Sequence, residues 1–220
     1  MLDPQARQFL QIMADNGVKP VHTLTAPEAR AAYLQRRSLS QPASEAVAHT
    51  HDHTLVHSGV EIGIREYRPQ GSDSKAVLPA LLFFHGGGWT VGDLDTHDTV
   101  CRSLCNASGS AVFAVDYRLG PEAPFPAAYD DALAAFAWLV QHAAQVHIDP
   151  ARIAVGGDSA GGNIAAALCL GLRGQAAHPG FQLLIYPAVT MRPDTDSYHR
   201  NGQGYMLTQD AMRWYTANYI

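Results

Sequence analysis

The sequence has 220 residues, 47% of them hydrophobic and 16% charged, with a formal net charge of -5 at pH 7. A chain of this composition can bury a large core, which excludes a disordered polymer. The negative balance, with no block of Lys or Arg, argues against nucleic-acid and anionic-membrane partners, and the longest apolar run, residues 132–140, is too short to span a bilayer.

Residues 1–48 read as helical. Asp3 before Pro4 is a helix start, Asn16-Gly17 a stop, and Thr25 with Pro27 and Glu28 a second start. The opening residues carry Asp3 and no unbroken apolar stretch, so they do not read as a secretory signal. This helical stretch is expected to be an N-terminal cap on a core spanning 49–220. No strand is expected before residue 52. "HTLVHSG" and "EIGIREYRP" alternate around Ser58-Gly59 and predict a hairpin. "VLPALLFFHG" is continuously apolar, as a buried parallel strand should be. A helix over about 95–108, the strand "SAVFAVDYR" and a helix over about 126–146 follow. Next come the strand "RIAVGGD", a helix over 160–173, the strand "FQLLIYP" and an amphipathic helix capped by Thr208. Strands alternating with helices imply βαβ units, hence an α/β fold around a mostly parallel sheet. Cys101, Cys105 and Cys169 lack the C-x-x-C spacing of a metal or redox site and are expected to be reduced core thiols, consistent with a cytoplasmic protein.

Two motifs carry chemistry. Gly157-Asp158-Ser159-Ala160-Gly161 sits between an expected strand and an expected helix, the setting that G-x-S-x-G needs to expose a serine on a tight turn. The helix that follows offers free N–H groups to a developing oxyanion. The glycines alone would also suit a phosphate loop, but no G-x-G-x-x-G and no Gly-Lys-Ser/Thr is present. "HGGGW" at 85–89 directly follows the buried strand, and its glycines can turn backbone N–H groups toward an oxygen that becomes negative.

With "DYRLGPEAPFPAAYDD" at 116–131 and "GYMLT" at 204–208, these motifs resemble the α/β-hydrolase fold, specifically the hormone-sensitive-lipase-like serine esterases. The resemblance covers almost the whole chain. It implies hydrolysis of short- or medium-chain carboxylic esters, a small-molecule ester as partner, no cofactor and no metal, and a possible homodimer. Ser159 would be the nucleophile, and Gly87, Gly88 and Ala160 would supply the oxyanion hole. Trp89, Tyr205 and Leu207 are expected to line a substrate pocket. His85 and Asp158 are expected to support the loop and the elbow, and Asp116, Tyr117, Arg118 and Glu122 to form a polar network under the site.

A serine needs a base, and the fold orders its triad as Ser, then Asp or Glu, then His. After Ser159 only His178 and His199 remain, and neither the D-P-x-x-D-like nor the H-G-F-like sequence of the family occurs. The expectation is a core whose last strands and helices, with triad acid and base, lie beyond Ile220. The alternative is an inactive small-ligand-binding protein on the same scaffold, as in the plant gibberellin receptors, which resemble this family without its histidine. A metal-dependent rival rests on "HTHDH" at 49–53, where His49, His51 and His53 would share one strand face. That stretch is one residue short of the metallo-hydrolase signature and precedes a strand instead of following one, so polar residues at the cap-to-core junction are the expected reading.

Overall fold

The computed structural model describes residues 2–220, the side chains of Ser38 and Ser40 excepted. The N-terminal stretch forms helix α1 (Pro4–Asp15), a 3-10 turn (Val21–Thr23) and helix α2 (Ala26–Ser40). Asp3 accepts the Gln5 N–H at 2.8 Å to start α1. Thr25 and Glu28 form the reciprocal capping box that starts α2.

Strands β1 (His49–His57) and β2 (Val60–Arg68) make the expected hairpin. Ser58 and Gly59 take φ of 51° and 79°, the mirror-image turn that matches strand twist. β1 begins at His49, earlier than the sequence suggests, because His49 pairs with Arg68 and the ladder runs unbroken from there. Then come β3 (Leu78–Phe84), α3 (Asp98–Ser108), β4 (Ala111–Asp116), α4 (Ala127–Gln141), β5 (Ile148–Asp158), α5 (Ala160–Gly171) and β6 (Phe181–Ile185). Helices α6 (Asp196–Arg200) and α7 (Gln209–Tyr219) close the described chain. α3 starts later than expected because Asp93 and Thr96 close a turn on each other, with Thr96 N–H donating to the Asp93 carboxylate at 2.7 Å. α4 stops at Gln141, short of the expected 146; the segment beyond it turns and reaches His147 at φ 49°. α6 has no signal in the sequence beyond Thr195, which caps Tyr198 N–H at 3.2 Å.

The strands form one sheet in the order β1-β2-β4-β3-β5-β6. The hairpin joins antiparallel, while β4, β3, β5 and β6 run parallel. β3 lies at the centre and is buried from Ala80 onward, which explains its unbroken apolar sequence. One sheet face packs on α4 and α5 through Ile64, Leu82, Phe113 and Ile164. The other packs on α3 through Tyr67, Phe83, Cys101 and Cys105. All three cysteines are free, and the two on α3 are buried. No helix among the described residues is long and apolar enough to cross a membrane.

The residues expected to form one network under the site separate into distinct contacts. Asp116 pairs in register with Gly63 of β2, and Glu122 binds Arg30 of α2. Arg118 grips Asp131 of α4 with its guanidinium at 2.6 Å and its backbone N–H at 2.8 Å, and Asp131 is fully buried. Removing the cation strands that carboxylate. Arg118→Leu should destabilise the fold by about 3 kcal/mol, read as a lower urea midpoint, and Arg118→Leu with Asp131→Leu should recover much of the loss.

Candidate active site

Ser159 is the hinge between β5 and α5. It holds φ 53° and ψ −114°, a strained combination for a residue with a Cβ. Its N–H donates to Ile185 O at 2.9 Å, and its carbonyl accepts from Asn163 N–H at 3.1 Å and Ala188 N–H at 3.0 Å. The turn is therefore clamped by the end of β6 and by α5. A Cβ on Gly161 would strike the Phe84 carbonyl oxygen, and one on Gly157 would strike that same oxygen and Gly161. Both glycines are needed because the end of β3 presses directly on the elbow.

That contact places the loop after β3 beside Ser159. Gly87 and Gly88 take φ of 122° and 58°, and Trp89 takes 56°. The Gly87 carbonyl accepts from Thr90 and Val91 N–H groups at 3.1 and 3.0 Å, so it is satisfied within the loop's own turn. Among the described residues the N–H groups of Gly87, Gly88 and Ala160 donate to no protein acceptor. The Tyr215 ring of α7 occupies the space a side chain on Gly88 would fill.

Asp158 links the two motifs. Its Oδ1 accepts the Gly86 N–H at 2.9 Å and lies 3.3 Å from His97 Nε2. Burial alone would raise this carboxyl, but the His97 hydrogen bond and charge and the Gly86 N–H carry it below the usual aspartate range. His85 is buried, stacked on Tyr117 with centroids 4.3 Å apart, and its Nδ1 lies 2.8 Å from Gly86 O. The Tyr117 hydroxyl donates to His85 O at 2.6 Å. Burial first, and then His97 nearby, lowers the His85 imidazole to about 4.

The remaining singled-out residues are dispersed. Trp89 is buried and stacks on Tyr219 with centroids 4.4 Å apart and planes 5° apart, so it packs α7 against the loop instead of standing open as a pocket wall. Tyr205 and Leu207 stand exposed between α6 and α7. His178 Nδ1 lies 3.2 Å from Gln175 O, and His199 is exposed on α6, edge-on to Tyr198. Among the described residues the Ser159 hydroxyl has no hydrogen-bond partner. Of the "HTHDH" stretch, His53 Nε2 bonds the buried Glu66 at 2.9 Å and packs on Trp138, and no metal-holding group of side chains occurs among the described residues.

A family model described as the alpha/beta hydrolase fold matches residues 81–220. The chain belongs to the α/β-hydrolase family. It is 37% identical over 225 residues to the carboxylic ester hydrolase LipN of Mycobacterium tuberculosis, covering all of this chain and 59% of that protein. It is 37% identical to an ethyl acetate hydrolase of Pseudomonas putida, covering 99% of this chain and 71% of that one. Among solved structures, an ester hydrolase from the Lake Arreo metagenome, complexed with a bipyridine phosphonate derivative, superposes with a TM-score of 0.94 at 38% identity. That match covers all of this chain and 71% of the other. The chain thus spans between 59% and 71% of the length of these α/β-hydrolase relatives. Their names agree with the hormone-sensitive-lipase-like esterases that the four motifs resemble.

Three residues near the site of this α/β hydrolase carry no motif. Arg30 of α2 donates to Thr90 O and Gly120 O, each at 2.8 Å, and pairs with Glu122. Tyr33, one turn further, lies 6.5 Å from the His97 ring between centroids; burial first, with the Asp158 charge, pushes its phenol up to about 12. Arg37 donates to Asp95 O at 2.9 Å. These positions recur at i, i+3 and i+7, so they share one helix face, but the face is polar and a search for apolar stripes passes over it. His97 is a fourth omission of a different kind, since only tertiary packing brings it to Asp158.

His85 sets a testable pH dependence. Its folded pKa lies below its unfolded value of about 6.5, so the unfolded chain binds the extra proton first and stability falls as pH drops from 6.5 toward 4. Lowering pH from 7 to 5 should cost about 2 kcal/mol through this one group. Urea midpoints at the two pH values should show that loss, and His85→Gln should flatten the slope.

Proposed function

We propose that this chain carries the nucleophile and oxyanion hole of a serine carboxylesterase acting on short- to medium-chain carboxylic esters. The observation that carries the reading is Ser159 at positive φ at the N-terminus of α5, beside a loop whose Gly87 and Gly88 N–H groups, like that of Ala160, have no protein acceptor among the described residues. Unsatisfied donors fixed in place before reaction suit an oxygen that gains charge, because they need no reorganisation as it forms. The helix end adds a partial positive charge on the same side.

In this mechanism Ser159 Oγ attacks the ester carbonyl carbon. An Oγ–C bond forms, the carbonyl oxygen becomes an oxyanion held by Gly87, Gly88 and Ala160, and the hydroxyl proton passes to a base. Collapse breaks the bond to the alcohol oxygen, which takes that proton and leaves an acyl-Ser159. Water then releases the acid by the same route. His85 is not that base: it is buried, its Nδ1 is turned to Gly86 O, and its lowered pKa keeps it neutral. His178 and His199 make no hydrogen bond to Ser159 among the described residues. No base for Ser159 is assigned among the described residues, and the relatives are longer than the portion this chain matches. The helical segment 1–48 serves as the cap, anchored on the loop through Arg30.

The test is turnover of p-nitrophenyl butyrate together with labelling by a fluorophosphonate. Ser159→Ala should lower kcat by about 10⁶ and remove the label. A chelator should leave turnover unchanged. Undiminished turnover by Ser159→Ala would overturn the assignment.

A further inference from the structure

The Asp158 carboxylate is held from two sides. Oδ1 takes the Gly86 N–H, and Oδ2 lies against the Gly86 Cα, where a side chain would collide with it. Gly86 is the residue before the two free amides of the loop, so the orientation of Asp158 sets where those amides begin. On the opposite side stands His97, 6% exposed, at the start of α3. Its Nε2 lies 3.3 Å from Asp158 Oδ1. A carboxylate oxygen only accepts, so attraction across this contact requires the proton on Nε2. The other ring edge is held by Thr96, whose hydroxyl oxygen lies 3.1 Å from Nδ1 and also takes the Asp93 N–H at 2.8 Å. The ring itself is enclosed by Phe83 of β3, His85 of the loop and Tyr33 of α2, with centroids 6.5, 5.4 and 6.5 Å away.

We propose that His97 is a positioning residue of the oxyanion loop: its Nε2–H fixes the Asp158 carboxylate in the one orientation that receives Gly86, and so sets the placement of the Gly87 and Gly88 amides. This builds on the reading of Ser159 as an esterase nucleophile. It adds a residue that touches neither substrate nor nucleophile, supplied by α3, an element outside both motifs. Three connected links carry it: Thr96 to His97, His97 to Asp158, and Asp158 to Gly86. Without the donor, Asp158 keeps one partner and can rotate away, and Gly86 loses its acceptor. The loss falls on oxyanion stabilisation more than on binding, because the free amides matter most when the carbonyl oxygen is charged.

Two readouts test this on the full protein. Hydrogen exchange of the backbone amides in residues 85–90 reports the loop directly, whatever reaction the protein performs. Ester turnover reports the consequence. His97→Leu and His97→Phe remove the donor while filling the space; the second also keeps the ring packing, should the first fold poorly. Both should speed exchange in 85–90 by about tenfold and lower kcat between about 10- and 100-fold with KM changed less than threefold. His97→Gln returns an N–H donor near the Nε2 position and should restore both readouts to within about fivefold. Exchange and kcat within twofold of wild type in His97→Phe overturn the proposal, as does a His97→Gln variant as impaired as His97→Phe. If the wild-type protein hydrolyses no ester, the esterase reading fails, and the exchange comparison alone still decides the role of His97.

Discussion

The candidate site depends on one close backbone contact, the carbonyl of Phe84 at the end of β3 pressed onto the turn between β5 and α5. Gly157 and Gly161 both face it, and neither position has room for a single carbon more. The contact follows from parallel register: Phe84 pairs with Gly157 across neighbouring strands, so both strands end at the same height and their following loops meet. In a parallel sheet all such loops emerge at one edge. That edge therefore collects the serine elbow from β5, the glycine loop from β3 and the Ile185–Ala188 segment that clamps Ser159 from β6.

Strain at Ser159 persists because its surroundings over-determine it. A φ of 53° costs roughly 1–3 kcal/mol in an isolated chain. Here the N–H and carbonyl on either side of that torsion are both hydrogen-bonded, to β6 on one side and to α5 and Ala188 on the other. The glycine loop is fixed by different means. Its inner end is bonded to Asp158, its histidine is stacked on Tyr117, and its outer end is held by Arg30 of α2 and by the Trp89–Tyr219 stack with α7. Segments far apart in sequence, α2 and α7, thus meet on one loop. Charge is handled in the same economical way: His85 is kept neutral by burial while the carboxylate of Asp158 is kept ionised by donors.

Much of this was legible residue by residue. The capping box at Thr25 and Glu28, the Ser58-Gly59 hairpin and the solid apolar run of β3 each announce their structure, because each depends on neighbours in the chain. The histidines at 49–53 were ambiguous in sequence, since three imidazoles on one strand face suit either a metal or a junction. What the structure adds is the cross-strand partner: Glu66 and Arg68 lie on the same face of β2 as Ile62 and Ile64, and His53 meets Glu66 there. The grouping of Asp116, Tyr117, Arg118 and Glu122 went the other way. Adjacent in sequence, they reach four different neighbours, because the chain leaves the strand and turns under α4.

By itself the sequence determined the order of elements, the α/β class and the two motifs, because turns, caps and buried strands are fixed by short-range sterics and by the period of apolar residues. It also showed that a base is not paired with Ser159 by any motif among these 220 residues. Only the tertiary structure decided which polar groups converge. His97 comes to Asp158 from the start of α3, Arg30 of α2 reaches the loop and Tyr33 of α2 lies against His97, Trp89 turns inward against Tyr219, and Asp158 reaches back to Gly86. These contacts join residues dozens of positions apart, and nothing local in a chain records which distant hydrogen-bond donor will meet a given carboxylate once the layers have packed.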